Sequence, residues 1–498
     1  MKKFVAFLLL CSMAICGVMA SQSFSSCRES GLALVCRGEI MSVSKPRIVV
    51  LTQKLINSSG KRLVVKDNYD LKGATVVLPR GFILQFQGGS IDNGTLKGNE
   101  SSISVSGDKP VLGCNLKISG SWNIQNVYDS WFQFDDSKDF VANDVIKNIL
   151  ALTDDNHSTH IFFNAKRVYH FALQCTGRPD VGNMVSYSIK PDGGKKRHYN
   201  EVYEDTYAYL RIFTIPSNTH LTINNKWVMN PTNYGAYFVF WEYAKCNVTI
   251  DGSGSIQGDN YGHLYTTPYA GTKYFGEYGH IFRCTKCRNF VFKDITLMDS
   301  FGDCILFTGA YVSGESGTRY ADGLVLDNVK ILRARRNGIA LGTRNGVIKN
   351  CHFEGCGTKA VKGTNPKSAI DLECDGLKKY NEIGNQNVLI QNCTFVNNEF
   401  DIHSYHNTME SYGKVASTIK DCNFTAPLII KGTYGIRFDN CSILKLSSTE
   451  TDLHKRWGSK KIEFVNCTFG VLSKSILNDP PKSNKILFSK CKYRKLIQ

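Results

Sequence analysis

A short phrase of apolar and polar residues recurs along the chain. It begins with a strand of alternating apolar and polar positions, bends at Asn or Asp, passes a Cys and continues as a second short strand. Copies begin at Val347, Val388, Thr418, Ile436, Ile462 and Ile486, with looser copies at Val248, Phe290 and Leu324. Most steps between copies are roughly 19 to 29 residues, the length of one coil of a parallel β-solenoid. The pattern predicts an all-β fold, a parallel β-helix that occupies residues 125–498.

The residue at each bend is most often asparagine, as at Asn350, Asn392 and Asn440. Asn and Asp tolerate the left-handed backbone conformation that such a bend needs. Because equivalent positions of successive coils are stacked, we expect the asparagine side chains to form a ladder.

The cysteines follow the same repeat. Six occupy the same place in the phrase: Cys351, Cys393, Cys422, Cys441, Cys467 and Cys491. Equivalent positions lie about 4.8 Å apart in a stack and face the same way, so they suit a column of buried thiols. Cys27 and Cys36 are better candidates for a disulfide bond. Cys284 and Cys287 have the spacing of a metal-binding or redox-active cysteine pair, but no second pair lies nearby in the sequence, so we interpret them as structural.

The N-terminal third has a different organisation. Residues 1–20 have the features of a secretory signal peptide, with Lys2 and Lys3 before an apolar run. Residues 21–124 are punctuated by glycines and predict a strand-rich cap. The segment 143–152 predicts a short capping helix that closes the open end of the solenoid, with Asn143 as its N-cap. Its apolar stripe is Val145, Ile146, Ile149 and Leu150.

These features predict an exported protein, extracellular or periplasmic. No later stretch approaches twenty uninterrupted apolar residues, so we do not expect the chain to span a membrane. The formal net charge is +17, and +15 without Lys2 and Lys3. Excess base on an exported protein favours a polyanionic partner. We expect this partner to be an acidic polysaccharide rather than nucleic acid.

Acidic residues alternate with apolar ones at 369–373 and again at 400–405. Ile370 and Leu372 point inward in the first stretch, so Asp371 and Glu373 project together into solvent. In the second, Ile402 points inward, and the residues expected to face outward are Asp401, His403 and Tyr405. Three carboxylates and an imidazole on one patch indicate a catalytic site.

Aligning the inward isoleucines Ile305, Ile339, Ile370 and Ile402 places their outward neighbours in a ladder. Ala340 then lies over Asp371, which lies over Asp401 or His403, depending on the register. Small residues, Gly338 and Ala340, leave a floor for a sugar ring. The expected substrate-binding residues around this floor are Asp303 at a strand entrance, Arg335, Arg336, Asn337, Tyr405 and His280.

Glycoside hydrolysis is the first functional hypothesis, because it needs one protonated carboxyl group and one carboxylate. Residues i and i+2 of a strand lie about 6.5–7 Å apart, at the near edge of the separation typical of inverting enzymes. Glu373 is the expected acid and Asp371 the expected base, and the arginines would hold an acidic sugar. No cofactor is needed.

Two other functions use the same patch. In a polysaccharide lyase, Asp371, Glu373 and Asp401 would hold Ca²⁺, and Arg336 or Lys359 would remove a proton from a uronate. In a non-catalytic adhesin or fibre, the patch would only bind glycan. The fold does not decide among the three.

The chain also resembles the pectate-lyase-like right-handed parallel β-helix superfamily, over roughly residues 125–495. The similarity lies in 143–171, 247–254, 276–280, 302–305, 337–339 and 369–373. It implies a right-handed β-helix and a secreted, carbohydrate-active protein. Polygalacturonases share this fold, but only Gly302-Asp303 is similar to their paired-aspartate motif. Leu372-Glu373-Cys374-Asp375 is similar to the catalytic arrangement of iota-carrageenases.

Overall fold

The structure is a computed structural model. It describes residues 47–107, 109–135, 137, 140–174, 211–232, 236–264, 278–309, 321–358, 366–372, 385–405, 417–431, 433–447, 460–477 and 486–497.

Short strands make up most of the described chain. In chain order they are β1 (Ile48–Val50), β2 (Arg62–Val65), β3 (Asn68–Asp70), β4 (Thr75–Val77), β5 (Ile83–Phe86), β6 (Ser90–Asp92), β7 (Gly94–Val105), β8 (Leu116–Trp122), β9 (Asn126–Tyr128), β10 (Thr159–Phe163), β11 (Val168–Phe171), β12 (Arg211–Phe213), β13 (Thr219–Ile223), β14 (Lys226–Met229), β15 (Ala236–Tyr243), β16 (Cys246–Asp251), β17 (Ser255–Gln257), β18 (Tyr278–Thr285), β19 (Arg288–Lys293), β20 (Thr296–Met298), β21 (Ile305–Thr308), β22 (Ala321–Asp327), β23 (Lys330–Leu332), β24 (Ile339–Leu341), β25 (Thr343–Arg344), β26 (Val347–Lys349), β27 (His352–Glu354), β28 (Ser368–Leu372), β29 (Leu389–Gln391), β30 (Thr394–Val396), β31 (Phe400–Tyr405), β32 (Ser417–Lys420), β33 (Asn423–Lys431), β34 (Tyr434–Asp439), β35 (Ser442–Ser447), β36 (Lys460–Val465), β37 (Thr468–Ser473), β38 (Ile486–Ser489) and β39 (Lys492–Ile497). The helices are α1 (Gln53–Ser58), α2 (Asn143–Leu150) and α3 (Lys474–Leu477), with a 3₁₀ turn at Asp129–Trp131.

Two long parallel sheets form the body of the solenoid. One has thirteen strands and runs from β9 to β38, and the other has eighteen strands and runs from β11 to β39. Strands β1 to β8 form two shorter sheets, which are also parallel, so the strand-rich prediction for the N-terminal region is confirmed. The parallel β-helix predicted from the repeats is confirmed, together with the right-handed sense that the resemblance implies. The boundaries at residues 20 and 124 stay predictions, and the signal peptide lies outside the described residues.

Rows of inward apolar side chains hold the coils together. The register pairs Phe282 with Ile305, Ile305 with Ile339, Ile339 with Ile370, and Ile370 with Ile402. All five are fully buried. Burial of one such side chain stabilises a fold by about 1.5–3 kcal/mol, so the row strongly opposes a slip of any strand. The predicted isoleucine alignment is confirmed.

The bends carry the expected asparagine ladder. The Asn350 amide donates to Oδ1 of Asp327 at 2.9 Å, and the Asn392 amide donates to Oδ1 of Asn350 at 2.8 Å. Both asparagines have positive φ angles, 57° and 51°. Farther along, Asn440 donates to Asp421 at 2.8 Å. Each side chain thus ties one coil to the coil before it.

The column of thiols is also confirmed. Its six repeat cysteines are unbridged, and five are buried, with Cys491 half-buried at the C-terminal end. Cys284 and Cys287 are buried and unbridged as well, in agreement with their structural interpretation. Cys27 and Cys36 lie outside the described residues.

Thiol titration tests the column. We expect at least the six repeat cysteines to react in denatured, unreduced protein. In native protein they should react far more slowly, because the thiolate is the reactive form. A hydrogen bond with the preceding thiol of the column, together with burial, raises the pKa of Cys422 and Cys441 to about 12. A fully reduced, denatured sample gives the total for comparison. Finding nearly all cysteines oxidised in the unreduced sample would contradict the prediction.

Helix α2 differs from its prediction at its N-terminus. The apolar stripe is buried as expected, but the N-cap residue is Ala142. The Asn143 side chain instead pairs with the backbone of Ala172, donating to its oxygen at 2.6 Å and accepting from its nitrogen at 3.0 Å. Asn148 makes the same kind of pair with the edge of β8, at Leu116 and Ile118. The helix therefore joins the shorter sheets to β11 through asparagine side chains that replace strand pairing.

Candidate functional site

The outward positions of the eighteen-stranded sheet form one row along the helix axis. Side chains alternate between the two faces of a strand, so the neighbours of the buried Phe282 to Ile402 row face outward. The register places these neighbours in the order Trp241, Arg283, Leu306, Ala340, Asp371 and His403. At about 4.8 Å per strand the row is about 24 Å long. We call this row the trough.

Asp371 and His403 form a pair at the C-terminal end of the trough. Nδ1 of His403 lies 2.8 Å from Oδ1 of Asp371. The register thus selects His403, rather than Asp401, as the neighbour of Asp371. The side chain of Asp371 is only 3% exposed and that of His403 is 19% exposed. The expectation that Asp371 projects into solvent is therefore wrong, and its carboxylate is held by an imidazole in a sheltered position.

A second carboxyl group, that of Asp303, lies nearby, two residues before β21 begins at Ile305. It is fully buried. Arg336 Nη1 lies 2.7 Å from Oδ2 of Asp303, and the backbone nitrogen of Asn337 donates to Oδ1 at 2.9 Å. Burial is the main cause that raises the pKa of Asp303 to about 7; Arg336 opposes this shift, and the charge of Asp371 contributes to it. Asp303 is therefore close enough to Asp371 to respond to its charge, and can hold or release a proton near neutral pH.

His280 supports Asp303 from the preceding coil. Its Nδ1 accepts a hydrogen bond from the backbone nitrogen of Asp303 at 3.0 Å. Burial, together with the charges of Arg283 and Arg336, lowers the pKa of His280 well below its usual value. The imidazole is therefore neutral and positions the Asp303 backbone, rather than facing solvent as a sugar-binding group.

The structure contradicts the predicted orientation of Asp401. Its position is level with Ala369 of the hydrophobic core, between the paired positions Ser368–Phe400 and Ile370–Ile402. The carboxylate is fully buried and accepts from Asn398 Nδ2 at 2.9 Å and from the Ala426 nitrogen at 2.7 Å. These bonds fix two turns of the backbone, so we leave Asp401 out of the acid–base pair.

Two more predicted binding residues are turned away from the trough. The Arg335 guanidinium lies 4.3 Å from the ring centre of Phe301, donates to its backbone oxygen at 3.3 Å and is 1% exposed. Asn337 is fully buried, and its Oδ1 accepts from the backbone nitrogen of Ser368 at 3.0 Å. Arg336, which we also expected to bind substrate, is bound to Asp303.

Ala340 occupies the predicted floor position, between Leu306 and Asp371, but it is fully buried, so the expectation of an open floor there is wrong. Gly338 has a different role. A Cβ atom there would lie 2.5 Å from the backbone oxygen of Ala369 and 3.1 Å from Ile331, inside the coil. The glycine therefore permits close packing of two coils.

Some expected site residues lie outside the described residues. Glu373, the predicted acid, follows the last residue of β28, and Lys359 precedes that strand. Tyr405 ends β31, but its side chain is not among those described. Their proposed roles stay predictions.

The sequence interpretation missed two residues at the N-terminal end of the trough, Trp241 and Arg283. The alignment began at Ile305. Extending it one coil to Phe282, and another to Phe240, would have placed Arg283 and Trp241 on the outward face, because the two phenylalanines continue the inward row.

Among the described residues, no group of three or more His, Cys, Asp or Glu side chains has the arrangement of a metal site. The described helices include none that is long and apolar enough to cross a membrane.

Comparison with known proteins gives distant similarities. No family model matches the chain. The uncharacterized protein YclG of Bacillus subtilis (strain 168) is 28% identical over 187 residues, which cover 37% of this chain. The matched stretch covers 31% of YclG, so this chain matches about a third of that protein's length.

Several solved structures are similar in part. A mutant of the tailspike protein of E. coli bacteriophage HK620, solved in complex with a pentasaccharide, has a TM-score of 0.41 at 10% identity, covering 75% of this chain and 65% of that one. ORF18 of Geobacillus virus E2 has a TM-score of 0.41 at 12% identity, covering 75% of this chain and 62% of ORF18. The Streptococcus pneumoniae surface protein and adhesin PfbA has a TM-score of 0.34 at 12% identity, covering 89% of this chain and 94% of the PfbA chain. Likeness of this degree does not bear on function.

Proposed function

We propose that this chain is an exported glycoside hydrolase of the pectate-lyase-like superfamily, and that it degrades an acidic polysaccharide. One observation carries the proposal. On the same sheet and two coils apart, a buried carboxyl group with a pKa of about 7 lies within electrostatic range of a carboxylate held by an imidazole. Two carboxyl groups in such different environments are the arrangement that acid–base hydrolysis of a glycosidic bond requires.

Asp371 is the proposed base. It takes a proton from the water that attacks the anomeric carbon, and His403 orients its carboxylate through the 2.8 Å contact. The acid protonates the leaving oxygen as the glycosidic bond breaks, so one proton is taken up by the base and one is given by the acid. Asp303 has the pKa that suits this acid, since it is raised to about 7. Glu373, the acid expected from the sequence, is the competing assignment.

The trough runs in a direction that suits a chain-like substrate. It follows the helix axis over five strand spacings, with Asp371 and His403 at its C-terminal end. A polymer that lies along this axis would place one of its bonds beside the Asp371–His403 pair, with further units toward Arg283.

A panel of acidic and neutral polysaccharides tests the function. We expect new reducing ends from at least one acidic polymer, with no absorbance from unsaturated uronates. Unsaturated products, together with loss of activity in chelator, would instead indicate a calcium-dependent lyase. Binding to a polymer with no product from any of them would indicate an adhesin-like protein. Boiled protein is the control for chemical breakdown of the substrate.

A further inference from the structure

We propose that the C-terminal end of the solenoid is a docking site for an extended acidic segment of a partner protein, which pairs as one more strand with the outer edge of β39. The site lies on the last coil that the structure describes, and it includes no residue of the trough. It is therefore a binding surface separate from the proposed site of hydrolysis.

The two strands of this coil lie at the ends of the two long sheets. Within the described part of the chain, β38 pairs with β36 alone and β39 pairs with β37 alone. The outer edge of β39 thus presents backbone N–H and C=O groups to which no described strand is paired. An edge of this kind is a template for a further strand, and a segment that binds there gains affinity from main-chain hydrogen bonds.

The core of the solenoid is open at this edge. Leu496 of β39 is 41% exposed, whereas Leu472, its partner on β37, is fully buried. Tyr493 is also partly exposed, although its partner Phe469 is fully buried. A further strand would cover Tyr493 and Leu496 in the same way that β39 covers Phe469 and Leu472. Burial of apolar surface and main-chain pairing therefore favour the same occupant.

The charge of the coil favours an acidic occupant. Residues 486–498 contain four Lys and Arg residues and no Asp or Glu. All four are exposed, and none forms an ion pair with a described residue: Lys490, Lys492, Arg494 and Lys495. Docking of a second copy through the same coil would bring these like charges together. Glu or Asp side chains on an added strand would instead lie across from Lys492, Arg494 and Lys495, and opposite charges on paired strands attract.

An anionic lipid surface would also attract these cations. It has no main chain to pair with the open edge of β39, whereas a polypeptide satisfies the edge, the apolar side chains and the charge together. The observations thus favour a protein segment, and the lipid surface is the alternative that the experiment separates from it.

Fluorescence anisotropy with labelled octapeptides tests the site on the full chain. One peptide alternates Glu and Val, a second alternates Lys and Val, and a third is the Glu–Val peptide with every backbone nitrogen methylated. The third keeps the negative charge but cannot donate main-chain hydrogen bonds. We expect only the first peptide to bind, and bound peptide should slow hydrogen exchange of the amides of β39.

Lys492→Gln/Arg494→Gln/Lys495→Gln should weaken binding of the Glu–Val peptide by about tenfold, because it removes the three cations of β39. The matched control is Lys117→Gln/Lys226→Gln/Lys330→Gln, which removes the same charge from exposed positions of other coils. Its affinity should stay within about twofold of the wild type, the usual range for surface substitutions. Equal weakening in both variants would show attraction to the overall charge of the protein and would overturn the site.

Two further results would also overturn the proposal. One is equal binding of the methylated peptide, since attraction would then occur without strand pairing. The other is binding to vesicles of phosphatidylcholine and phosphatidylglycerol in equal amounts, with no binding of the Glu–Val peptide, which would assign the coil to a lipid surface. None of these measurements requires turnover of a polysaccharide, so failure of the docking site and failure of the proposed hydrolysis are distinguishable.

Discussion

Asp371→Asn should lower turnover by about 10²–10⁴-fold on the polymer that the wild type degrades, the range typical for loss of one general base or acid. The amide has nearly the same shape but cannot take a proton from water. Initial rates of reducing-end formation measure the effect. The melting temperature should change little, because the amide oxygen can still accept from His403 at the position now 2.8 Å away.

Glu354→Gln is the matched control for this variant. Glu354 also pairs with a histidine, His352, at 3.1 Å, but both side chains are well exposed, at 49% and 33%. It lies on β27 and not in the trough, so its loss should leave turnover within about twofold of the wild type, in the usual range for a surface substitution. Full activity in Asp371→Asn would place the chemistry elsewhere on the chain.

Asp303→Asn should cause the second large loss of turnover, and the size of this loss should depend on the leaving group of the substrate. If Asp303 is the acid, its loss should lower the turnover of a natural glycosidic bond by about 10²–10⁴-fold, because the departing oxygen is no longer protonated. Turnover of an activated aryl glycoside, whose leaving group needs no proton, should fall far less. The comparison requires rates for both substrates with the same variant.

The pH dependence gives a second signature of the acid. A group with a raised pKa is protonated below that pKa, so the acid form of Asp303 is present below about pH 7 and is lost above it. The wild-type kcat/KM on the natural polymer should therefore fall as the pH rises through about 7. In Asp303→Asn this fall should disappear.

Glu373→Gln decides between the two candidate acids. If Glu373 is the acid, this variant shows the dependence on leaving group, and Asp303→Asn keeps the fall in kcat/KM above neutral pH. In that case the raised pKa of Asp303 reflects its burial and the charge of Asp371 alone.

Features that follow from the repeat were predictable from the sequence. The inward row, the asparagine ladder and the column of thiols each depend on equivalent residues recurring once per coil, and stacking then brings them together. Asp371, in the same inward–outward alternation, was assigned to the correct face for this reason.

Features that depend on the ends of strands were not predictable. Asp401 lies one residue from the inward Ile402, where strict alternation predicts an outward side chain, yet bonds to Asn398 and Ala426 hold it inside. Arg335 and Arg336 are adjacent in a turn, where the alternation of a strand does not apply. One packs on Phe301 and the other binds Asp303. Asn143 was assigned as a cap from its position alone, whereas its side chain bonds to Ala172.

The parallel register has a consequence for how such a protein can change in evolution. Arg283 and the Asp371–His403 pair belong to different coils, and the number of coils between them sets their separation along the axis. Insertion of one coil between them would increase this separation by about 4.8 Å, and loss of one would decrease it by the same amount, without altering either set of side chains. Duplication of a repeat therefore changes the spacing of groups along the trough, while the side chains of each coil are inherited unchanged.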